Sequence, residues 1–218
     1  MSLFERLKAD NKPAWDAYID HEFVTGLAAG TLGEASFKHY LGQDYLFLIQ
    51  FARAYALAAY KSESLADIRQ AAGSLSAIID FEMDLHVKFC ADWGLSEAQM
   101  EALPEAPETM AYTRYVLEKG LAGDLLDVHV ALAPCIIGYA EIGRAHAGQV
   151  EGNHYGQWIE IYASKDYQEV ASAEMEQLDR LMESRGGEGR YDALSKTFNQ
   201  ATRLEGAFWQ MGLEKSKS

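Results

Sequence analysis

Residues 37–55 read FKHYLGQDYLFLIQFARAY, and apolar side chains recur there at every third or fourth position. An α-helix has about 3.6 residues per turn, so this spacing places the apolar side chains on one helix face. That face comprises Phe37, Tyr40, Leu41, Phe47, Leu48, Phe51 and Tyr55. The stretch therefore predicts a long helix, over residues 34–61, that packs one side against a hydrophobic core.

The same helical spacing runs through almost the whole chain, and no convincing segment alternates with the period of two that is typical of strands. Glycine, proline and capping residues separate the periodic segments. We therefore predict an all-α protein, a multi-helix bundle in a single domain over residues 1–218. The predicted helices cover residues 2–9, 13–28, 34–61, 65–93, 96–103, 108–121, 125–148, 153–163, 165–184 and 189–214.

The composition excludes several classes of protein. The chain has 218 residues, of which 49% are hydrophobic and 24% charged, as in a globular protein. Its formal net charge is −14 and it has no basic stripe, so neither nucleic acid nor an anionic membrane surface is an expected partner. Apolar stretches such as residues 54–60 fall far short of a membrane span. No secretory signal opens the sequence, and two cysteines indicate no disulfide framework, so we expect a cytoplasmic protein.

Two carboxylates interrupt apolar helix faces. Asp44 is the only charge on the apolar face of the helix predicted over residues 34–61, and Glu205 is the only charge on that of the last helix. An unpaired buried carboxylate costs several kcal/mol, so each must be paired, protonated or turned toward a polar cavity. Pairing with Arg53 or Arg203 is a structural explanation for one such residue. Two of them favour a functional site.

A thiol and several aromatic side chains are further candidates. Cys135 follows Pro134 inside a predicted helix, where proline removes a backbone hydrogen bond and favours a kink that could turn the thiol into a cavity. Most buried cysteines are simply small apolar residues, which is our interpretation of Cys90. Aromatic side chains at helical spacing are usually core, but tyrosines also suit a flat heteroaromatic ligand. The candidates are Tyr112, Tyr139, Tyr155, Trp158 and Tyr162.

The sequence carries no recognisable metal or cofactor motif. Glu82 and His86 are four residues apart, whereas the di-iron helical motif requires a spacing of three. Cysteine and histidine do not cluster at zinc spacing, and no phosphate-binding loop is present. We therefore expect a site without metal or cofactor.

These residues form a pattern that resembles the central signature of the TenA (thiaminase II) family. The signature reads Pro134-Cys135-x-x-Gly138-Tyr139-x-Glu141-Ile142-Gly143, followed by Asn153-x-Tyr155-x-x-Trp158-Ile-x-x-Tyr162. The helix that contains Asp44 and the segment Glu205-x-x-Phe208-Trp209 agree in type and spacing. The likeness extends over nearly the whole chain.

The resemblance implies a haem-oxygenase-like helical bundle that is built without haem and assembles as a homotetramer. It implies an aminopyrimidine aminohydrolase of thiamin salvage, which converts 4-amino-5-aminomethyl-2-methylpyrimidine to the hydroxymethyl compound and cleaves thiamin more slowly. Cys135 is then the nucleophile, Glu205 the proton donor and Asp44 the residue that fixes the ring. The expected substrate-binding residues are Asp44, Phe47, Tyr112, Tyr139, Tyr162 and Phe208.

Two positions depart from the family pattern, and two other classes of protein remain open. Phe47 stands where a tyrosine is common, and Ile136-Ile137 replaces larger or aromatic residues; both changes bear on substrate preference. A non-catalytic binding or regulatory protein on the same bundle would keep the aromatic pocket without needing a reactive thiol. An oxygenase of related architecture would use haem on His21, or a metal held by Glu and His side chains.

Overall fold

The computed structural model describes residues 1–214, except for the side chains of Phe81 and Leu85, so the last four residues of the predicted domain lie outside it. Within these residues the regular elements are all helical. The α-helices are α1 Leu3–Asp10, α2 Lys12–Ile19, α3 Glu22–Ala28, α4 Glu34–Lys61, α5 Leu65–Ala77, α6 Met83–Asp92, α7 Glu97–Glu101, α8 Pro107–Ala122, α9 Leu125–His146, α10 Gly156–Ala163, α11 Lys165–Leu181 and α12 Glu188–Glu214. Shorter π or 3₁₀ segments, Ile78–Glu82, Ala147–Gln149 and Met182–Gly186, adjoin α5, α9 and α11.

The helix predicted over residues 13–28 was wrong, because the chain forms two helices there. His21 has an extended backbone, with φ −59° and ψ 147°, and its side chain accepts a hydrogen bond from the Phe23 amide. This local cap starts α3 and satisfies one of the free amides at its N-terminus. Apolar periodicity does not reveal such a break, because the apolar positions continue across it.

The helix predicted over residues 65–93 is continuous in extent but irregular in its hydrogen bonding. A π segment, Ile78–Glu82, joins α5 to α6. A π turn contains an extra residue and rotates the following side chains about the helix axis. It therefore changes which side chains of α6 face the interior.

Helix α9 is the central element of the bundle and is buried on nearly every side. Asp124 and Asp127 form a reciprocal capping box at its N-terminus, and the helix runs unbroken through Pro134. The kink expected at Pro134 stays a prediction.

The expectation that no apolar stretch reaches membrane-spanning length was wrong. The segment Leu125–Gln149 is long and apolar enough to cross a membrane, with a mean hydropathy of 1.5. However, 83% of its most apolar window is buried, as in a core helix.

The long helices pack around α9 and close a hydrophobic core that reaches from Leu3 to Leu213. Helices α4, α8, α10, α11 and α12 all pack against α9. Trp15, Phe198 and Trp209 are fully buried among the side chains of this core. The middle parts of α4, α8, α9 and α12 consequently face one another, and they carry the candidate residues described next.

Candidate active site

The Cys135 thiol lies in the middle of α9, at a point where the Tyr18 side chain packs closely against this helix. The Tyr18 hydroxyl donates a hydrogen bond of 3.2 Å to the Pro134 carbonyl. A Cβ atom on Gly138 would lie 2.3 Å from the Tyr18 ring, so only glycine allows this approach. The side chain of Tyr18 therefore supports α9 next to the thiol, which itself is 9% exposed.

Cys135 and Glu205 form the first reactive pair. The Glu205 side chain on α12 is 1% exposed, and its Oε1 accepts a hydrogen bond of 2.8 Å from the Tyr112 hydroxyl. Burial raises the pKa of Glu205 to about 8, although the hydrogen bond from Tyr112 opposes that rise. Burial and then the adjacent Glu205 carboxylate raise the pKa of the Cys135 thiol well above its ordinary value. The resting thiol is therefore neutral, and a carboxyl group that can exchange a proton at neutral pH lies next to it.

Asp44 is the second buried carboxyl group of the site. Its Oδ2 lies 3.5 Å from the Tyr40 hydroxyl, and this hydroxyl accepts a hydrogen bond of 3.2 Å from Trp158 Nε1. Because the tyrosine accepts from the indole, its own hydrogen is directed to Asp44. Burial raises the pKa of Asp44 to about 7. Asp44 is thus oriented by two aromatic side chains and can carry or release a proton near neutral pH.

His86 of α6 completes the surroundings of Asp44. Its Nε2 lies 3.0 Å from the Leu41 carbonyl, and its Nδ1 lies 3.6 Å from Asp44 Oδ2. A carbonyl oxygen can only accept, so Nε2 carries the hydrogen and the neutral ring presents the lone pair of Nδ1 to Asp44. Burial lowers the pKa of His86. The imidazole therefore does not provide Asp44 with a permanent positive charge.

The structural explanation for the two carboxylates does not hold in the described part of the chain. Arg53 is exposed and donates a hydrogen bond to Gln50, while Arg203 is exposed on the outer side of α12. None of the ion pairs described for residues 1–214 joins a lysine or an arginine to Asp44 or Glu205. Both carboxyl groups are instead held by hydroxyl groups.

Three aromatic rings line one side of the site. Phe47 stacks on Tyr112 with ring centroids 5.2 Å apart and an angle of 28° between the planes. The Phe47 ring also lies 5.9 Å from Phe208, one turn beyond Glu205 on α12. The structure therefore brings together Phe47, Tyr112 and Phe208, as the resemblance implied. Their apolar faces suit a flat ring.

Tyr139, one turn after Cys135 on α9, contacts Tyr162 of α10. Their ring centroids are 4.9 Å apart, and the planes are at 63°. Tyr162 reaches this position because α9 and α10 approach closely: a Cβ atom on Gly143 would lie 2.4 Å from the Tyr162 carbonyl carbon. Tyr162 itself is only partly buried.

Several other sequence candidates have structural roles. The Tyr155 hydroxyl donates to the Leu32 carbonyl and fixes the loop before α4. Cys90 is fully buried, and burial raises the pKa of its thiol to about 12, so it remains a core residue. His21, the candidate haem ligand, uses Nδ1 to cap α3. In the part of the chain that the structure describes, no group of three or more His, Cys, Asp or Glu side chains is placed to hold a metal ion.

Glu82 and His86 were not predicted as part of the site, because their spacing of four residues excludes only the di-iron motif and indicates no other role on its own. The same spacing places both on one helix face, and this signal, combined with Asp44, could have indicated a joint role. Tyr40 was assigned to the apolar face of α4 without a role for its hydroxyl. Its contact with Asp44 has the spacing of one helix turn within α4, which the sequence could have indicated. Its contact with Trp158 joins α4 to α10, and the sequence alone does not pair these helices.

Comparison with known proteins identifies the family of this chain. The TENA/THI-4/PQQC family profile matches residues 8–215. A protein of Halalkalibacterium halodurans named aminopyrimidine aminohydrolase is 36% identical over 97% of this chain and 95% of its own length. The prediction that the chain is an enzyme is confirmed by relatives of this kind.

Solved structures confirm the predicted fold class. A protein from Silicibacter sp. TM1040, described as a TenA family transcription regulator, has a TM-score of 0.93 at 46% identity, over 97% of this chain and 96% of that chain. A domain from Shewanella denitrificans with a heme oxygenase-like fold has a TM-score of 0.76 at 14% identity, over 98% and 93%. The all-α, haem-oxygenase-like architecture is therefore correct.

Proposed function

Because this chain belongs to the TENA/THI-4/PQQC family, we propose that it is a thiamin-salvage hydrolase that acts by covalent cysteine catalysis. Its substrate is 4-amino-5-aminomethyl-2-methylpyrimidine, which it converts to the hydroxymethylpyrimidine and ammonia, and it also cleaves thiamin to hydroxymethylpyrimidine and thiazole. The observation that carries the proposal is the position of the Cys135 thiol beside Glu205, whose Oε1 is held by Tyr112 at 2.8 Å.

The first step is addition of sulfur to the ring carbon next to the one that bears the arm. The Cys135 proton passes to the Glu205 carboxylate, and the carboxyl group delivers a proton to a ring nitrogen, so no net charge is created. A carboxyl group with a pKa of about 8 is well matched to this exchange at neutral pH.

Asp44 fixes the ring during this addition. It accepts hydrogen bonds from the 4-amino group of the pyrimidine, while the hydroxyl of Tyr40 holds the carboxyl in place at 3.5 Å. Phe47, Tyr112 and Phe208 contact one side of the site, and Tyr139 with Tyr162 borders the other. These rings limit the flat substrate to one plane, in which the reacting carbon lies over the thiol.

The second step releases the arm. The arm reacts in its ammonium form: ring electrons form a double bond to the arm carbon, and the C–N bonding pair leaves with the NH3+ nitrogen as neutral ammonia. Water then adds to the arm carbon and gives up a proton to the departing ammonia. The ring nitrogen returns its proton through Glu205 to the sulfur, which leaves with its bonding pair and restores the aromatic ring.

The geometry favours this enzyme over the two other classes. A regulatory protein on the same bundle would need the aromatic side chains but not a thiol next to a carboxyl group of raised pKa. An oxygenase with haem on His21 would need a ring nitrogen whose lone pair is free, whereas here Nδ1 accepts from the Phe23 amide and Nε2 of the neutral ring carries the hydrogen.

We extend the proposal to the assembly and location of the enzyme, a single domain over residues 1–218. The expected homotetramer is supported by large apolar side chains that are exposed on α4, α5 and the following π segment: Tyr60, Leu65 and Ile79 are 82%, 60% and 51% exposed. The two cysteines are free, as is usual in the cytoplasm, where thiols stay reduced. The net charge of −14 disfavours binding to nucleic acid or to an anionic membrane, so the expected partner is a small molecule. Mass determination by light scattering tests the tetramer directly.

The activity is tested by offering the two substrates side by side. Ammonia release from the aminomethylpyrimidine and thiazole release from thiamin are measured with the purified protein. We expect turnover of both, with the aminomethyl compound preferred. The absence of either product would overturn the proposed function.

A further inference from the structure

Glu82 is an acidic residue beside the site that has no role in the catalytic mechanism proposed above. It is the last residue of the π segment Ile78–Glu82, and α6 begins directly after it. Four residues later, His86 lies 3.6 Å from Asp44. Residues four apart lie on the same helix face, so Glu82 faces the site one turn before His86. Segments of π-helix are frequent at functional sites because they redirect side chains in this way.

The surroundings of Glu82 are those of the catalytic site. Its carboxylate is close enough to the Cys135 thiol and to the hydroxyl groups of Tyr162 and Tyr167 to raise the pKa of each. Burial, and then the charge of Asp44, raises the pKa of Glu82 itself to about 7. Glu82 therefore lies on the same helix face as His86 and acts on the same thiol as Glu205 and Asp44.

The site contains three carboxyl groups, Asp44, Glu82 and Glu205, that have no fixed positive charge as a partner among the described residues. No ion pair described for residues 1–214 joins a lysine or an arginine to Asp44, Glu82 or Glu205. Asp44 and Glu205 are only 6% and 1% exposed. Buried carboxylates are costly unless they are paired. A site of this kind gains most from a ligand that brings its own positive charge.

The two substrates and the product differ in that property. The aminomethyl arm is an ammonium ion near neutral pH, and the thiazolium of thiamin is permanently cationic. The hydroxymethyl arm of the product is neutral. A carboxylate beside the arm would therefore hold both substrates more tightly than the product.

We propose that Glu82 binds the cationic arm of the substrate, while Asp44 binds the amino edge of the pyrimidine ring. This inference rests on the proposed function and adds a specificity-determining residue to it. Glu82 keeps the aminomethyl arm in its ammonium form, from which the nitrogen leaves as neutral ammonia. After hydrolysis the same carboxylate no longer has a charged partner, which favours release of the product.

The test compares cationic and neutral ligands in Glu82→Gln. Binding of thiamin, the aminomethyl compound and the hydroxymethyl compound is measured by calorimetry in a Cys135→Ala background, so that no turnover occurs. We expect Kd for the two cationic ligands to rise about ten- to hundredfold, as for loss of a charged hydrogen bond, and Kd for the neutral ligand to change less than about threefold. Asp84→Asn removes one charge from an exposed position on α6 and serves as the matched control, with no change for any ligand.

The outcomes separate this inference from the proposed function. If the wild-type enzyme releases ammonia but Glu82→Gln weakens all three ligands equally, or none, the inference is wrong and the hydrolase proposal stands. If the cationic ligands depend on Glu82 but the wild type releases no ammonia, the inference stands and the hydrolase proposal is wrong. Glu82→Asp, which keeps the charge, should retain most of the preference for cationic ligands; loss of that preference with the fold intact would also contradict the inference.

Discussion

The Tyr112 hydroxyl donates a hydrogen bond of 2.8 Å to Glu205 Oε1, and the Glu205 carboxyl lies beside the Cys135 thiol. This bond joins α8 to α12 across the core and fixes the carboxyl that exchanges protons with both the thiol and the ring. It also limits how far burial raises the pKa of Glu205. Tyr112 is therefore a positioning residue for the proton transfer as well as a stacking surface.

Tyr112→Phe should keep the stacking and lose the hydrogen bond. Because this bond stabilises the charged form of Glu205, the apparent pKa on the pH profile of kcat should move upward. We expect kcat to fall about tenfold to a hundredfold, as for loss of a hydrogen bond to a charged group, with KM nearly constant. Steady-state rates across pH 6 to 10 provide the measurement. A change in KM alone would mean that Tyr112 contributes only to binding.

Asp44 and Glu205 should have separable effects. Asp44→Asn retains one acceptor but loses charge assistance, so it should mainly raise KM for the pyrimidine. Glu205→Gln cannot transfer a proton, so it should mainly lower kcat. Equal effects of both substitutions on KM, with kcat unchanged, would rule out this division of roles.

The buried carboxyl groups also make stability depend on pH. Folding raises the pKa of Glu205 from 4.5 to about 8, mainly through burial. The folded protein therefore retains a proton that the unfolded chain releases, and the free energy of unfolding falls as pH rises from about 4.5 to about 8. Glu205→Gln removes this penalty and should raise Tm at pH 8, relative to wild type, by about 4 °C or more, with little gain at pH 4. Exposed Glu160→Gln is the control and should leave the difference between the two pH values unchanged.

The sequence was sufficient for the helical architecture because the apolar periodicity of α4 and α9 is long and uninterrupted. It was not sufficient at His21, where a side-chain cap divides a periodic segment, or at Ile78–Glu82, where one extra residue per turn rotates α6. Asp44 and Glu205 were visible as charges on apolar faces. The contact between Asp44 and His86 was not, because it depends on how α4 and α6 pack.

Phe47 offers a test of substrate preference. It stacks on Tyr112 at 5.2 Å, so Phe47→Tyr would place a hydroxyl at the edge of the site without removing the stacked ring. We expect the ratio of kcat/KM for the aminomethyl compound over thiamin to rise about ten- to hundredfold, as for gain of one hydrogen bond to a charged partner. An unchanged ratio would show that position 47 does not distinguish the two arms.

The central claim is that Cys135 forms the covalent bond to the substrate, and the most direct measurement is ammonia release by two matched cysteine variants. Cys135→Ala should lower kcat by at least about a thousandfold while Kd for the hydroxymethylpyrimidine stays nearly constant, because the nucleophile is lost but little of the pocket is. Cys90→Ala should lose some stability and keep its turnover, since that thiol is a core residue. If Cys135→Ala instead released ammonia at a rate near that of the wild type, covalent catalysis by this residue would be contradicted.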